Sequence, residues 1–223
     1  MRKTSSNPGV SWWSGQITAF TLILIAVLSA QPLLALQQSH GELNKARVAE
    51  IAGMLEPQPS GFGKPCSDRA SWSIRAGELQ NFIDEADQIL KAPLPPFDPD
   101  AYLEFSKIGD RQPMEKNASA RTRQLIPLVV AECVEYKGRY LPRIAEVMDS
   151  LAAAPSWTLS AHDPQLLNFY GKRYYVDLVA ADLADNLAEA LYLVGDKLPP
   201  ETRKHVMAEM EKHVFGPMRT SLS

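Results

Sequence analysis

The chain has 223 residues, with 23 lysines and arginines against 26 aspartates and glutamates and a formal net charge of −3. This weakly acidic balance excludes the broad positive surface on which most nucleic-acid binding depends. The length and the 45% hydrophobic content suit one domain with a sizeable core, or a piece of a larger one.

The N-terminal segment has the order of charge and hydrophobicity that is typical of a secretion signal. Arg2 and Lys3 precede an uncharged apolar run over residues 17–30. Because this run is shorter than the about 20 residues that span a bilayer, cleavage is favoured over membrane anchoring. The sequence therefore predicts a signal peptide or N-terminal anchor over 1–35 and a helical domain over 36–223. The predicted location is periplasmic or secreted, with inner-membrane anchoring as the alternative.

Helical periodicity and proline breaks divide the first half of this domain. A short helix is predicted over 42–55, and another begins with Ser73 as its cap and carries a strong apolar stripe. Only a brief helical turn is expected around 102–105. A longer helix is predicted over 119–136, with a kink or break at Pro127.

The C-terminal part repeats the helical pattern on both sides of one irregular segment. Helices are predicted over 141–153, over 176–194, and from Pro199 until Gly216 ends the last one. No credible run of alternating β-branched residues occurs in the predicted domain. The fold class is therefore all-α, with helix packed on helix.

Cys66 and Cys133 are the two cysteines of the chain. Export would place both in an oxidising compartment, where a disulfide can form. Cys133 lies in an apolar helical stretch and Cys66 in a Gly/Pro-rich loop, so a bridge and two unpaired thiols are equally open. Neither cysteine has a second Cys or His at ligand spacing, so the pair does not predict a metal site.

The segment 155–171 is long, irregular and rich in aromatic residues. A connection of about 17 residues is unusual inside a compact domain unless it has a function. His162 beside Asp163 can take part in acid–base chemistry, and aromatic faces with Asn and Asp side chains suit a sugar-binding cleft. The alternative is a loop tied to the core, with Trp157 as its plug and Asp163 capping a turn.

Other polar groups have ordinary surface interpretations. His205, Glu209 and His213 repeat along one helix face but lack the paired motif of a metalloprotease. Asp177 is interpreted as a favourable acid in a first helical turn. The basic residues between 121 and 143 can meet an acidic polysaccharide, although a solvated helix rim is favoured. No metal ion or cofactor is predicted.

Several motifs together resemble the N-terminal helical part of bacterial heparinase II/III-like proteins. The resemblance covers residues 60–217. It rests on Ser156-Trp-Thr-Leu-Ser-Ala-His-Asp163, Val176-Asp-Leu178, the alanine-rich helix ending Leu-Val-Gly-Asp-Lys-Leu198, and the closing His-Val-Phe-Gly-Pro217. Glu104-Phe-Ser-Lys-Ile-Gly-Asp-Arg111 and Leu128-Val-Val-Ala-Glu-Cys133 also fit the pattern.

This resemblance implies an incomplete (α/α) toroid of helical hairpins, normally followed by a β-sandwich region, in an exported polysaccharide lyase. Such enzymes cleave uronic-acid-containing glycans by β-elimination, in which a base removes the C5 proton while another group neutralises the uronate carboxylate. The family's catalytic segment would lie beyond the closing helix. The resemblance therefore assigns no catalytic residue here, and the domain is expected to be incomplete at its C-terminus.

The resemblance implies a substrate-contacting set in the irregular segment. These residues would line or brace one end of a cleft for an acidic polysaccharide or oligosaccharide: Trp157, His162, Asp163, Asn168 and Tyr170. Two other functions stay open. One is a non-catalytic periplasmic helical carbohydrate-binding protein, and the other is a toroid glycoside hydrolase, which would need two converging carboxylates.

Overall fold

A computed structural model describes residues 44–55 and 63–222 of the chain. Every regular element among these residues is helical, which confirms the predicted all-α class. The predicted signal or anchor over 1–35 lies outside the described residues. Within the described part, no helix is both long enough and apolar enough to cross a membrane.

The chain divides into two compact units between Leu55 and Glu56. In the first unit, the described helix is α1 (Lys45–Met54), close to the helix predicted there. The side chain of Asn44 caps this helix by accepting hydrogen bonds from the backbone N–H groups of Ala46 and Arg47. All of its residues are exposed.

The second unit contains the remaining described helices. In chain order they are α2 (Arg69–Ile74), α3 (Gln80–Lys91), α4 (Pro99–Ile108), α5 (Gln112–Thr122), α6 (Leu125–Glu135), α7 (Leu141–Ala152), α8 (Leu178–Val194), α9 (Pro200–Met210) and α10 (Gly216–Leu222). Short 3-10 turns occupy Ser160–His162 and Gly195–Lys197, and a π-helical turn, Glu211–Phe215, joins α9 to α10.

The core of this unit lies around α6. This helix packs against α3, α7 and α8, and seven of its 11 residues are buried. A helix that is apolar on most sides is expected to be surrounded by other helices. Around this centre, α9 packs on α7 and α4 pairs with α5.

Two helix boundaries in the first half differ from the predicted ones. Ser73 does not cap the helix with the apolar stripe, α3, which begins at Gln80 with Leu79 at its N-cap and no side-chain cap. Ser73 lies inside the separate helix α2, which Asp68 caps by accepting a hydrogen bond from the backbone N–H of Ser71 at 3.1 Å.

The helix predicted over 119–136, with a kink or break at Pro127, is two helices, α5 and α6, which confirms a break and places it at residues 123–124. Pro127 lies in the first turn of α6, where its missing N–H has no intrahelical partner to lose.

The helical path also continues past Gly216, where the sequence predicts an end. The Gly216 backbone N–H donates to the carbonyl oxygen of Glu211, five residues earlier, which is the π-helical pattern. Pro217 has no N–H, so the hydrogen-bond ladder cannot continue regularly there. A Cβ on Gly216 would lie 2.9 Å from the Glu211 oxygen. Glycine therefore permits a close approach instead of ending the helix.

Cys66 and Cys133 form a disulfide, the first of the two alternatives that the sequence leaves open. Their Cα atoms are 4.5 Å apart, within the usual range for a bridge. Arg69 strengthens the same junction by donating to the carbonyl oxygens of Cys133 and Val134 at the end of α6. The segment before α2 is thereby fastened to the central helix.

Candidate functional site

In the structure the irregular segment predicted over 155–171 extends to Asp177, the N-cap of α8. This segment, 155–177, is held from its inner side by a buried carboxylate. Asp163 is 1% exposed. It accepts hydrogen bonds from the Tyr102 hydroxyl at 3.1 Å and from the backbone N–H groups of Asn168 and Phe169 at 3.1 and 2.9 Å. Burial, with the nearby Asp163 charge, raises the pKa of Tyr102 above its ordinary value, so the phenol stays a donor. Asp163 therefore organises the turn that follows it.

Asn168 and Trp157 also lie inside the domain. Asn168 accepts a hydrogen bond from the backbone N–H of Tyr175 at 3.0 Å. The indole Nε1 of Trp157 donates to the carbonyl oxygen of Ala152 at 3.4 Å. Both residues are almost fully buried. In this structure they brace the segment, and direct contact with a glycan would require them to become exposed.

His213, in the π-helical turn, holds both ends of the segment. Its ring stacks on Trp157, with centroids 4.9 Å apart and 2° between the planes, and meets Tyr174 edge-on at 4.5 Å. Its Nε2 lies 3.3 Å from a carboxylate oxygen of Glu209. Burial, followed by the charge of Lys212, lowers the pKa of His213 to about 4, so the ring is neutral at pH 7.

His162 and Tyr170 lie on the outer side. The His162 side chain is 55% exposed, and its Nδ1 lies 2.7 Å from Oδ2 of Asp177. Asp177 is the N-cap of α8, and it accepts hydrogen bonds from the backbone N–H groups of Ala180 and Leu159. Sequence reasoning identified Asp177 only as an acid in a first turn and missed its contact with His162.

The exposed side of the segment carries two cations and an aromatic ring. Tyr170 is 59% exposed, and Lys172 and Arg173 are exposed beside it. The two acids of residues 155–177, Asp163 and Asp177, both point inward. The segment thus separates its charges, with carboxylates inside and cations outside.

Three of the basic residues between 121 and 143 are engaged with other helices, whereas Arg123 and Lys137 are exposed. Arg121 is buried and donates to the carbonyl oxygen of Ser150. Arg139 pairs with Asp87 and Glu135, and Arg143 donates to backbone carbonyls at the end of α3. Each of these three guanidinium groups links two helices by donating to groups of the protein itself.

His205 and His213, which with Glu209 form the predicted row on one helix face, have different partners in the structure. His205 pairs with Asp149 on α7 through a 3.0 Å contact, whereas His213 points into the aromatic stack. Among the described residues, no group of three or more His, Cys, Asp or Glu side chains is arranged to hold a metal ion.

An apolar groove of about 650 Å³ lies between α2, α3, α6 and α8. Sequence reasoning missed it because its walls come from distant parts of the chain and each apolar residue fits an ordinary helix stripe. The side chains that contribute its hydrophobic surface include Trp72, Leu79, Phe82, Ile126, Val129 and Val130.

Comparison with known proteins does not extend these observations. No protein-family model matches the sequence, and no curated protein matches it. The class that the structure defines is an all-α domain of packed helices with one disulfide. The resemblance to heparinase II/III-like proteins stays a prediction from motifs.

Proposed function

We propose that this protein is the N-terminal helical part of an exported polysaccharide lyase-like protein, and that its segment 155–177 contacts a uronic-acid-containing glycan. The charge separation of that segment carries the proposal. Lys172 and Arg173 are exposed beside Tyr170, while both acids point inward.

The chemistry of an acidic glycan fits this surface. Uronate carboxylates are repelled by a chain of net charge −3 unless positive groups are concentrated locally. Exposed cations supply that attraction, and the face of Tyr170 offers an apolar surface for a sugar ring. The successive helices α4 and α5 are in contact, as are α6 and α7, and such contacts support the incomplete (α/α) toroid of helical hairpins that forms part of the proposal.

The second candidate is a non-catalytic carbohydrate-binding protein, which the same surface supports. The two candidates differ in what happens to the glycan. A lyase breaks the C5–H and C4–O bonds and leaves a C4=C5 double bond that absorbs in the near ultraviolet, whereas a binding protein leaves the glycan intact. A toroid hydrolase is less well supported at this segment, because Asp163 and Asp177 are already held by several hydrogen bonds each.

Binding of polygalacturonate by charge variants tests the proposal. The double variant Lys172→Ala/Arg173→Ala should bind about tenfold more weakly at low salt, because both cations are lost from the proposed surface. Lys91→Ala/Lys204→Ala is the matched control, since it removes the same charge from exposed positions on α3 and α9. Isothermal titration calorimetry with neutral dextran as a second ligand provides the readout. Equal weakening by both double variants would contradict the proposal.

A further inference from the structure

The Asp177 carboxylate is immobilised more completely than its place at a helix start requires. Its Oδ1 accepts the backbone N–H of Ala180 at 2.9 Å, and its Oδ2 accepts that of Leu159 at 3.0 Å. The first bond caps α8 and the second fastens the beginning of the irregular segment. With a side chain only 10% exposed, the carboxylate has a fixed position and orientation.

This carboxylate determines how His162 presents its ring. An ionised carboxylate only accepts hydrogen bonds, so the Nδ1 that lies 2.7 Å from Oδ2 must carry the proton. In the neutral imidazole the other nitrogen, Nε2, then holds a lone pair. Since the His162 side chain is 55% exposed, that lone pair is available at the surface.

The pair His205–Asp149 offers an internal comparison. Its Nδ1 to Oδ1 distance is 3.0 Å, but the Asp149 side chain is 42% exposed, against 10% for Asp177. The other Asp149 oxygen accepts a hydroxyl, that of Thr202, and no backbone N–H group. Asp149 connects α7 to α9 and lies outside the segment 155–177. The pair is therefore a suitable control for His162 and Asp177.

We infer that the neutral ring of His162 accepts a hydrogen bond from a sugar hydroxyl at Nε2, and that Asp177 is the positioning residue that fixes the proton of this neutral ring on Nδ1. The inference deepens the proposed function and rests on it. Lys172 and Arg173 would then attract the carboxylates of the glycan, whereas His162 would distinguish a hydroxyl at a defined position of the sugar. The ligand class is an acidic oligosaccharide with a free hydroxyl beside its uronate group.

The tautomer of His162 tests the positioning role without any ligand. Two-bond ¹H–¹⁵N spectra of the imidazole, recorded at about pH 9 where an ordinary imidazole is neutral, should show His162 protonated on Nδ1. Asp177→Asn should shift the proton towards Nε2, while the asparagine still caps α8. Asp149→Asn is the control and should leave the His162 signals unchanged. A wild-type His162 protonated on Nε2 would overturn the inference.

Glycan binding tests the acceptor role. His162→Ala and Asp177→Asn should each weaken the binding of oligogalacturonate by about threefold to tenfold, the range of one lost hydrogen bond. His162→Gln should recover part of the affinity, because its amide oxygen can replace Nε2, and His205→Ala should bind like the wild type. If Lys172→Ala/Arg173→Ala weakens binding and the His162 and Asp177 variants do not, the inference fails while the proposed function stands. If the wild type does not bind the oligosaccharide, both fail.

Discussion

His213 shows how one buried imidazole links the candidate site to the C-terminal helices. Trp157 and Tyr174 come from opposite ends of the irregular segment, and both contact this ring. The titratable groups that face it are Glu209 near the end of α9, Lys212 in the π-helical turn and Tyr174 from the segment. A neutral ring suits this stack, whereas a charged one would have to be desolvated.

The stability of the domain should therefore depend on pH through His213. Its pKa is about 4 in the folded protein, against about 6.5 for an ordinary histidine in the unfolded chain. Between these values the unfolded chain binds more protons, so the free energy of unfolding falls as the pH falls from about 6.5 to about 4. His213→Phe keeps an aromatic ring and should lose less stability over this range than the wild type.

Urea denaturation at several pH values between 4 and 7 measures this difference. His205→Gln serves as the control, because it removes a histidine that lies outside the aromatic stack. An unchanged pH dependence in His213→Phe would show that the folded state does not exclude the proton from His213.

The five candidate residues divide into a buried group and an exposed group, and the sequence alone does not show which residue belongs to which group. Trp157, Asp163 and Asn168 are buried, as the loop-tied-to-the-core alternative describes, while His162 and Tyr170 are exposed. The residue types indicate that the segment has polar and aromatic contacts. The burial of each side chain, however, depends on partners that lie far away in the chain. Tyr102, for example, lies 61 residues before the Asp163 that it contacts.

Among the helices, those with a strong local signal were predicted well. The apolar stripes of α7 and α8 place both helices within about two residues, the usual uncertainty of helix ends, and the prolines place the start of α9 but not its end. Helix α4 was underestimated as a brief turn, although Asp98 and Pro99 form a cap and first-position pair that could have located it. Pro127 signals the separation of α5 from α6 only approximately, because it lies in the first turn of α6 and no glycine or proline occupies residues 123–124.

The π-helical turn is the element whose geometry depends most on one residue. At Gly216 an added Cβ would lie 2.9 Å from the backbone oxygen of Glu211, a distance that requires the turn to shift. Gly216→Ala should lower the free energy of unfolding by about 1–3 kcal/mol, as overpacking usually does, and should displace His213. Gly195→Ala is the control, since the nearest atoms to its added Cβ would be 3.9 Å away. Thermal unfolding followed by circular dichroism compares the two, and equal stability would contradict this account of the turn.

One disulfide joins distant parts of the chain. Cys66 and Cys133 are separated by 67 positions. In the chain-entropy model, closing a loop of this size stabilises the folded state by about 4 kcal/mol. Cys66→Ser/Cys133→Ser should lose an amount of this order in guanidinium denaturation, and reduction should destabilise the wild type without affecting the variant. Two titratable thiols in the unreduced, denatured wild type would contradict the bridge.

The central claim is that the outer side of segment 155–177 contacts an acidic glycan, and a ¹H–¹⁵N correlation titration with oligogalacturonate tests it most directly. We expect saturable shifts of the backbone amides of His162 and of Tyr170 to Arg173, with little change along α3 and α9. Shifts confined to the apolar groove around Trp72 and Phe82, or no shifts at all, would contradict the account.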